Sequence, residues 1–265
     1  MRKDARNLED GRLEDYNMDT YPWIHERHRI FPQILEPGRY RTILDIAAGM
    51  GVAARRIHEG YACKMICNDV SEKSLRNLKR CGMTTLSFDL DDPQLKFPFA
   101  DDSFDAVISL ATLEHILHLD NHMTEIRRIL KDDGHLFIST PNYTGIHFVI
   151  PYLFKGRSFH NPLGSSLEKY EFYAHVRYFT YITLLEFVSS FGFKAEKVFL
   201  PLPKSSSRYR ALEKSSALMA LSFKAVLSIL YRILSPRWAF HPVLCFSKDL
   251  NPNGKKIAMP ARKII

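Results

Sequence analysis

The feature that most constrains this chain is a glycine-containing turn that directly follows an apolar run. Residues 42–46 (TILDI) predict a buried strand, and residues 47–51 (AAGMG) follow it without a break. Small residues let the backbone approach a ligand closely, and the first amides of a helix that starts after such a turn have no partners within that helix. The pattern therefore predicts a strand, a ligand-binding turn and a helix.

The turn by itself fits more than one class of nucleotide site. Residues 49–54 (GMGVAA) match the dinucleotide pattern G-x-G-x-x-A, which places a pyrophosphate at a helix N-terminus. Asp45 disfavours a pyrophosphate, because its carboxylate would repel the phosphates, whereas it could hold a ligand's ammonium group. An amino-acid-bearing nucleoside is favoured over NAD, and a plain structural turn is the third interpretation.

Six further apolar runs predict strands at residues 63–67, 84–88, 104–109, 135–139, 193–200 and 243–247. Asp69 follows the first of them at about 20 residues from the glycines, the spacing at which a carboxylate can accept hydrogen bonds from ribose hydroxyls. Asp89 follows the second. Carboxylates that follow successive parallel strands meet at one edge of the sheet, which predicts a nucleotide site there.

In this order the motifs resemble those of the class I S-adenosylmethionine-dependent methyltransferases, in particular the small-molecule, lipid and sugar enzymes (methyltransferase type 11-like). The resemblance covers roughly residues 40 to 200. It rests on the turn, Asp69-Val70-Ser71, Asp89, the segment 97–105 (FPFADDSFD), Leu113-Glu114-His115 and the segment 134–142. Ala47 departs from the family, which usually has its first glycine there, and an alanine is tolerated at this position if its φ is negative.

The resemblance implies an α/β, Rossmann-like fold with a seven-stranded, mostly parallel sheet, an antiparallel edge hairpin, helices on both faces and a helical insertion near the C-terminus. It implies S-adenosyl-L-methionine as the cofactor. The implied contacts are Asp45, Ala47, Gly49 and Gly51 with the methionine end, Asp69 and Val70 with the ribose, Asp89 and Leu90 with the adenine, and Leu110 and Ala111 beneath the sulfonium.

We predict four segments: an N-terminal helical cap at 1–40, the cofactor-binding core at 41–200, a basic amphipathic helical insertion at 201–240, and a last strand with a basic tail at 241–265. Within the core, the long aromatic-rich segment 143–178 is predicted to be a lid over the acceptor, because loops of this length are usually functional or disordered. A helix over 21–31 is expected to close over the cofactor.

The charge of the chain is concentrated near its C-terminus. The net charge is +8, yet residues 201–265 hold 12 Lys and Arg against two acids, so the rest is slightly acidic. A nucleic-acid groove across the core is therefore not expected.

In the helical run 217–234, Lys224, Ser228 and Arg232 recur every fourth residue in an otherwise apolar sequence, which favours an anionic membrane surface as partner of 204–237.

Two alternatives for this helix stay open, namely packing against the domain and a homodimer interface.

The sequence has no long uncharged apolar run and no N-terminal signal pattern, which predicts a cytoplasmic protein that can be peripheral on the inner membrane face.

Methyl transfer from a sulfonium is an in-line displacement, so alignment supplies most of the acceleration. An alcohol acceptor also needs a base, and the candidates are His115 after strand four and His175 in the segment 175–180 (HVRYFT). His118 and His122 follow His115 at helical spacing, but the intervening apolar residues indicate an amphipathic turn, and no metal site is predicted.

The sequence therefore predicts a methyltransferase acting on oxygen of a small-molecule, glycan or lipid-linked acceptor. An NAD(P)-dependent oxidoreductase and a non-catalytic, cofactor-binding partner subunit remain the alternatives.

Overall fold

The computed structural model describes residues 10–11, 13–16, 19, 21, 24–157, 175–250, 257 and 259–265. These residues form an α/β fold with one eight-stranded sheet. The strands are β1 Thr42–Ile46, β2 Lys64–Asn68, β3 Thr84–Leu86, β4 Phe104–Leu110, β5 Leu130–Ser139, β6 Phe193–Leu200, β7 Val243–Lys248 and β8 Ala261–Ile264. The helices are α1 Glu26–Arg29, α2 Val52–Gly60, α3 Glu72–Arg80, α4 Leu119–Ile129, α5 Ile146–Lys155, α6 Tyr181–Ser190, α7 Ser207–Ser215 and α8 Ala217–Ile233, with short 3-10 turns at Leu113–His115 and Pro236–Trp238.

The strands lie in the order β3-β2-β1-β4-β5-β7-β6-β8. The first five are parallel, and β7 runs antiparallel to both of its neighbours. The prediction of seven strands was one short, because β8 pairs in parallel with β6 where only a basic tail was expected. Its sequence, ARKI, is largely exposed at the edge and has no buried alternation by which a strand could be recognised.

Both faces of the sheet are buried. Ile43 and Leu44 are adjacent in β1, yet they belong to two different apolar clusters, one on each face. Ala54 and Ile57 of α2 cover the first face, and Ile126 of α4 lies in the cluster on the second. Strands that are buried on both sides have continuous apolar sequences, which is why they were recognisable.

The C-terminal insertion consists of α7 and α8. Helix α8 packs on the domain through Ala220, Leu227 and Tyr231. Its opposite side is apolar and exposed, with Leu218 and Ile233 each 74% accessible. Helix α8 therefore does pack against the domain, which was one of the two alternatives, and it also has an exposed apolar face. No helix in the described part of the chain has the length and apolar character needed to cross a membrane.

Glu26 fastens the N-terminal segment to this insertion. Its Oε1 accepts hydrogen bonds from the amides of Lys204, Ser205 and Ser206 at 2.6, 2.8 and 2.8 Å, and its Oε2 accepts one from Arg29. Burial alone would raise the pKa of Glu26, but these hydrogen bonds outweigh it and hold the pKa below its ordinary value. Among the described residues of the predicted helix 21–31, only α1 is helical.

Asn142 fastens the insertion to the end of β5. Its Nδ2 donates to the carbonyl oxygens of Arg237 and Ala239, both at 2.8 Å. Its Oδ1 accepts from the Tyr181 amide at 2.9 Å and from the Thr144 hydroxyl at 2.9 Å. One buried side chain therefore connects a strand end, the start of α6 and the segment after α8.

Candidate active site

The turn after β1 has a left-handed backbone at three alternate positions. The φ angles are 53° at Ala47, 55° at Gly49 and 79° at Gly51. The condition named for an alanine at residue 47, a negative φ, is therefore not met. The neighbouring amide of Ala48 donates to the carbonyl oxygen of Asn68 at 2.9 Å, so the turn is tied to the end of β2. The left-handed conformation costs an alanine about 1 kcal/mol relative to its preferred region.

Asp69 joins this turn to the loop after β2. Its Oδ2 accepts from the Gly49 amide at 2.7 Å, and its Oδ1 accepts from the Ser71 amide at 2.8 Å. A carboxylate has about four acceptor positions, so the two amides leave capacity for a ribose hydroxyl. Val70, between them, is half-buried.

Asp45 lies at the same edge with 3% of its surface accessible. Within the described part of the chain, its carboxylate receives no hydrogen bond, and burial together with the nearby charge of Asp69 raises its pKa to about 8. A cation placed beside Asp45 would oppose both causes. The ammonium group on the methionine portion of the predicted cofactor is such a cation, so the residues present fit that molecule.

The remaining predicted cofactor residues follow β3 and β4. Leu90 is buried, and Asp89 accepts a hydrogen bond from the Asp91 amide at 3.0 Å. Leu110 ends β4, and Ala111 has a φ of 56° and donates its amide to the carbonyl oxygen of Ser139 at 2.7 Å. All ten predicted cofactor residues therefore lie at or just beyond the carboxyl ends of β1 to β4.

The two predicted catalytic histidines are brought together next to this edge. His115 lies in the 3-10 turn after β4, and its ring is 4.9 Å from that of His175, centroid to centroid. The amides of Val176 and Arg177 donate to the carbonyl oxygen of Glu114 at 2.9 and 3.2 Å, which holds the two segments side by side. His115 is exposed, whereas His175 is buried.

Tyr143 extends this pair towards an aromatic depression. Its hydroxyl is 2.7 Å from Nδ1 of His175. The depression has a volume of about 300 Å³. It is lined by Tyr143, Phe148, Val149, Tyr152 and Tyr178. Of the predicted lid at 143–178, residues 158–174 lie outside the described residues.

The sequence suggested no individual role for Glu114, which directly precedes His115 in the turn after β4. It is 1% exposed, and burial raises its pKa to about 7 in spite of the nearby charge of Arg27. Arg27 is itself buried, with Nε and Nη1 lacking described hydrogen-bond partners. Its position next to His115 was the one feature of the sequence that could have drawn attention to Glu114. The burial of Glu114 and its closeness to Arg27 depend on the tertiary fold.

The side chains of His115, His118 and His122, which are at helical spacing in the sequence, do not meet at one site. Nδ1 of His118 is 2.7 Å from the carbonyl oxygen of Asp91 at the surface. His122 is fully buried, its ring 6.0 Å from that of Phe97, and burial lowers its pKa to about 3. Only His115 of the three faces His175.

The strand order distinguishes between the two nucleotide hypotheses. A dinucleotide-binding sheet has the parallel order 3-2-1-4-5-6, whereas here an antiparallel β7 lies between β5 and β6. Residues 44–138 match the family model of the methyltransferase domain. These residues are a methyltransferase domain with the class I fold. S-adenosylmethionine is the cofactor expected for this domain.

Several curated proteins are similar in sequence to this methyltransferase domain. A malonyl-[acyl-carrier protein] O-methyltransferase of Geobacter sulfurreducens is 31% identical over 50% of this chain and 51% of its own length. A demethylmenaquinone methyltransferase of Bacteroides fragilis is 33% identical over 39% of this chain and 44% of its own. The chain thus spans about half or less of the length of these relatives.

Solved structures agree on the fold of the domain. A SAM-dependent methyltransferase from Archaeoglobus fulgidus superposes with a TM-score of 0.52 at 18% identity, over 92% of this chain and 94% of that one. An S-adenosylmethionine-dependent methyltransferase from Mesorhizobium loti gives 0.54 at 19% identity, over 88% and 100%.

Proposed function

We propose that this chain transfers the methyl group of S-adenosylmethionine to an oxygen of a small-molecule, glycan or lipid-linked acceptor at a membrane surface. The observation that carries the proposal is that His115, in the turn after β4, lies against His175, which contacts Tyr143 of the aromatic depression. A group that takes the acceptor's proton must lie within hydrogen-bond reach of it, and this edge is where the acceptor would enter.

The protein's contribution is alignment and proton removal. S-adenosylmethionine supplies a methyl group already activated on a sulfonium. In this proposal Asp45 and Asp69 hold its ammonium group and ribose, and Leu110 and Ala111 support the reacting end. The exposed His115 takes the proton of an acceptor hydroxyl, and Tyr143 orients His175 through the contact with its Nδ1.

The aromatic lining favours an acceptor with an apolar or flat portion. Four of the five residues around the depression are tyrosine or phenylalanine. The matched relatives support this in two respects: one is named for a demethylmenaquinone acceptor, and another is named as an O-methyltransferase.

The outward face of α8 supports work at a membrane. Leu218, Ile229 and Ile233 are more than half exposed, and the exposed cations Arg232 and Arg237 lie nearby in the chain. An apolar helix face flanked by cations suits the surface of anionic lipids. We place this surface on the cytoplasmic side of the membrane.

Calorimetry with S-adenosylmethionine, S-adenosylhomocysteine and NAD tests the cofactor, followed by transfer of labelled methyl groups into lipid and glycan extracts. We expect micromolar binding of the two sulfur nucleosides, no binding of NAD, and label in an O-methyl product. Binding without turnover on any extract would favour the non-catalytic partner subunit, and binding of NAD alone would restore the oxidoreductase.

Cosedimentation with phosphatidylglycerol vesicles, compared with phosphatidylcholine vesicles, tests the membrane proposal. The combined change Leu218→Glu, Ile229→Glu and Ile233→Glu should abolish binding to the anionic vesicles. Ala211→Glu, on the exposed surface of α7, is the matched control and should bind at least tenfold more tightly than the triple variant. Equal binding by wild type and triple variant would reject the membrane face, and light scattering would then test whether α8 forms a homodimer.

A further inference from the structure

Glu114, His115 and His175 each present one metal-ligating atom, and these three atoms lie within 4.8 Å of one another. Two ligands of one divalent ion in tetrahedral geometry, each about 2.1 Å from it, are about 3.4 Å apart. The three atoms must therefore approach one another by up to about 1.4 Å to bind one ion. His115 has an exposed side chain, so a change of rotamer there can provide this approach.

The backbone around this cluster is fixed from two sides. Besides the two amides that donate to the Glu114 carbonyl oxygen, the Arg177 guanidinium donates to the carbonyl oxygens of Ile116 and Leu117 at 3.1 and 2.6 Å. Four hydrogen bonds thus hold the segment after His175 against the turn that carries Glu114 and His115. Such a supporting layer is what keeps metal ligands in place.

An independent observation points to a missing ligand. Both carboxylate oxygens of Glu114 are buried and have no hydrogen-bond partner in the described part of the chain. Buried carboxylate oxygens are almost always hydrogen-bonded, paired with a cation or bound to a metal, because leaving them unpartnered costs several kcal/mol. The cluster therefore contains an acceptor group for which the described part of the chain supplies no donor.

Tyr143 favours a ligating form of His175. When Nδ1 of His175 donates its hydrogen to the tyrosine hydroxyl oxygen, Nε2 is the ring nitrogen that carries the lone pair. Metal-binding histidines usually donate their other ring N–H to a neighbouring oxygen in this way. Tyr143 is accordingly a positioning residue.

We propose that Glu114, His115 and His175 bind a divalent first-row transition-metal ion at the acceptor edge of the domain. Two imidazoles and one carboxylate form a set of donors that suits such ions and leaves coordination positions open. The sequence expectation of no metal rested on His115, His118 and His122, whereas the fold assembles a different set. The role of the ion in catalysis rests on the proposed methyl transfer, but its binding does not.

The open positions would take an oxygen of the acceptor. Coordination lowers the pKa of a hydroxyl, so its proton can pass to water at neutral pH. In the metal-bound form, His115 is a ligand and does not itself take that proton. An oxygen lone pair then forms the bond to the methyl carbon as the carbon–sulfur bond breaks. The electrons of that bond stay on sulfur, and the sulfonium becomes the neutral thioether of S-adenosylhomocysteine.

Arg27 is the competing partner of Glu114. Its guanidinium acts on the carboxylate electrostatically, although the two form no ion pair within 4 Å among the described contacts. If the site takes no metal, closure of Arg27 onto Glu114 is the arrangement that would satisfy both groups. The experiment must separate these two outcomes.

The test uses the full chain, freed of any histidine tag and treated with EDTA. Titration with Co²⁺ is followed by visible absorption, and titration with Mn²⁺ by electron paramagnetic resonance. We expect one equivalent of Co²⁺ to bind, with Glu114→Gln and His115→Ala each weakening it at least tenfold. His118→Ala removes an exposed histidine three positions away and should bind Co²⁺ as the wild type does.

Circular dichroism and thermal unfolding verify that each variant is folded. Absence of saturable Co²⁺ and Mn²⁺ binding, or equal binding by wild type, Glu114→Gln and His115→Ala, would overturn the proposal in favour of the Arg27 pairing. Calorimetry of S-adenosylmethionine with the metal-free protein is read separately. Loss of cofactor binding would count against the methyltransferase function, while loss of Co²⁺ binding alone would count only against the metal site.

Discussion

Two edges of the domain are held by contacts that differ in sequence separation. We call the loops after β1, β2 and β4 the cofactor edge. The acceptor edge consists of the turn 113–115, residues 175–178 and α5. At the cofactor edge, Ala48 and Gly49 bond to Asn68 and Asp69, one strand further along the chain. The acceptor edge depends on partners much further away, such as Glu114 with residues 176 and 177. A motif can encode the first arrangement, whereas the second exists only once distant segments have packed.

The largest expected effect concerns the attachment of the N-terminal segment. Glu26→Ala leaves three amides without their buried acceptor and should lower the free energy of unfolding by about 3 kcal/mol, measured by urea denaturation at pH 7. Glu36→Ala, which removes exposed ion pairs, is the control and should cost less than about 1 kcal/mol.

The same variant predicts a pH dependence. Because the folded pKa of Glu26 is lowered, its contribution is present above the unfolded value near 4.5 and is lost as the pH falls through the folded value. The stability difference between wild type and Glu26→Ala should therefore shrink at pH 3. A difference that persists there would show that packing, not the carboxylate charge, holds the segment.

Asn142→Ala tests the second long-range attachment. Two carbonyl oxygens and one amide lose their partner, so unfolding should become easier by about 2–3 kcal/mol. Asn121→Ala, at a more exposed site, is the matched control, and its effect should be below about 1.5 kcal/mol. Equal effects would mean that neither the burial of Asn142 nor the greater sequence distance to its partners adds to the stability.

At the cofactor edge, Asp69→Asn should weaken S-adenosylmethionine binding by about 10- to 100-fold, because the ribose loses a charged acceptor worth about 1.5–3 kcal/mol. Calorimetry measures the affinity, and thermal unfolding reports how far the contact with Gly49 is kept. Asp120→Asn, on the exposed side of α4, should leave the affinity unchanged. An unchanged affinity in Asp69→Asn would remove Asp69 from the site.

Asp45 predicts the pH dependence of binding. Its pKa is raised to about 8, so raising the pH towards 8 ionises the carboxylate that is placed to pair with the cofactor ammonium. Between pH 6 and 7 the affinity should rise by up to about tenfold, with proton release on binding. Calorimetry in two buffers of different ionisation enthalpy measures that release. Asp45→Asn should abolish the pH dependence, and a pH-independent wild type would contradict the ammonium contact.

The smallest effect tests the local strain of the first loop. Ala47→Gly relieves the positive φ and should raise the free energy of unfolding by about 0.5–1 kcal/mol, after allowing for the greater entropy of unfolded glycine. Ala48→Gly relieves no positive φ and should be destabilising by about the same amount. A loss of stability in both variants would show that the surrounding contacts, rather than φ, determine the cost at residue 47.

The amino-acid sequence by itself determined seven of the strands, the position of the cofactor loops and the two histidines of the acceptor edge. Strand β6 was predicted with the bounds that the structure shows. These features follow from apolar runs and from turn residues adjacent to them, and both are local properties of the chain.

Only the tertiary structure decided the left-handed φ at Ala47, the addition of β8 to the sheet and the docking of α8 through Leu227. It also decided the hydrogen bonds that join Glu114 to residues 176 and 177. Each depends on contacts between segments distant in sequence. A residue's burial and its final hydrogen-bond partners are set by those contacts, and no local pattern specifies them.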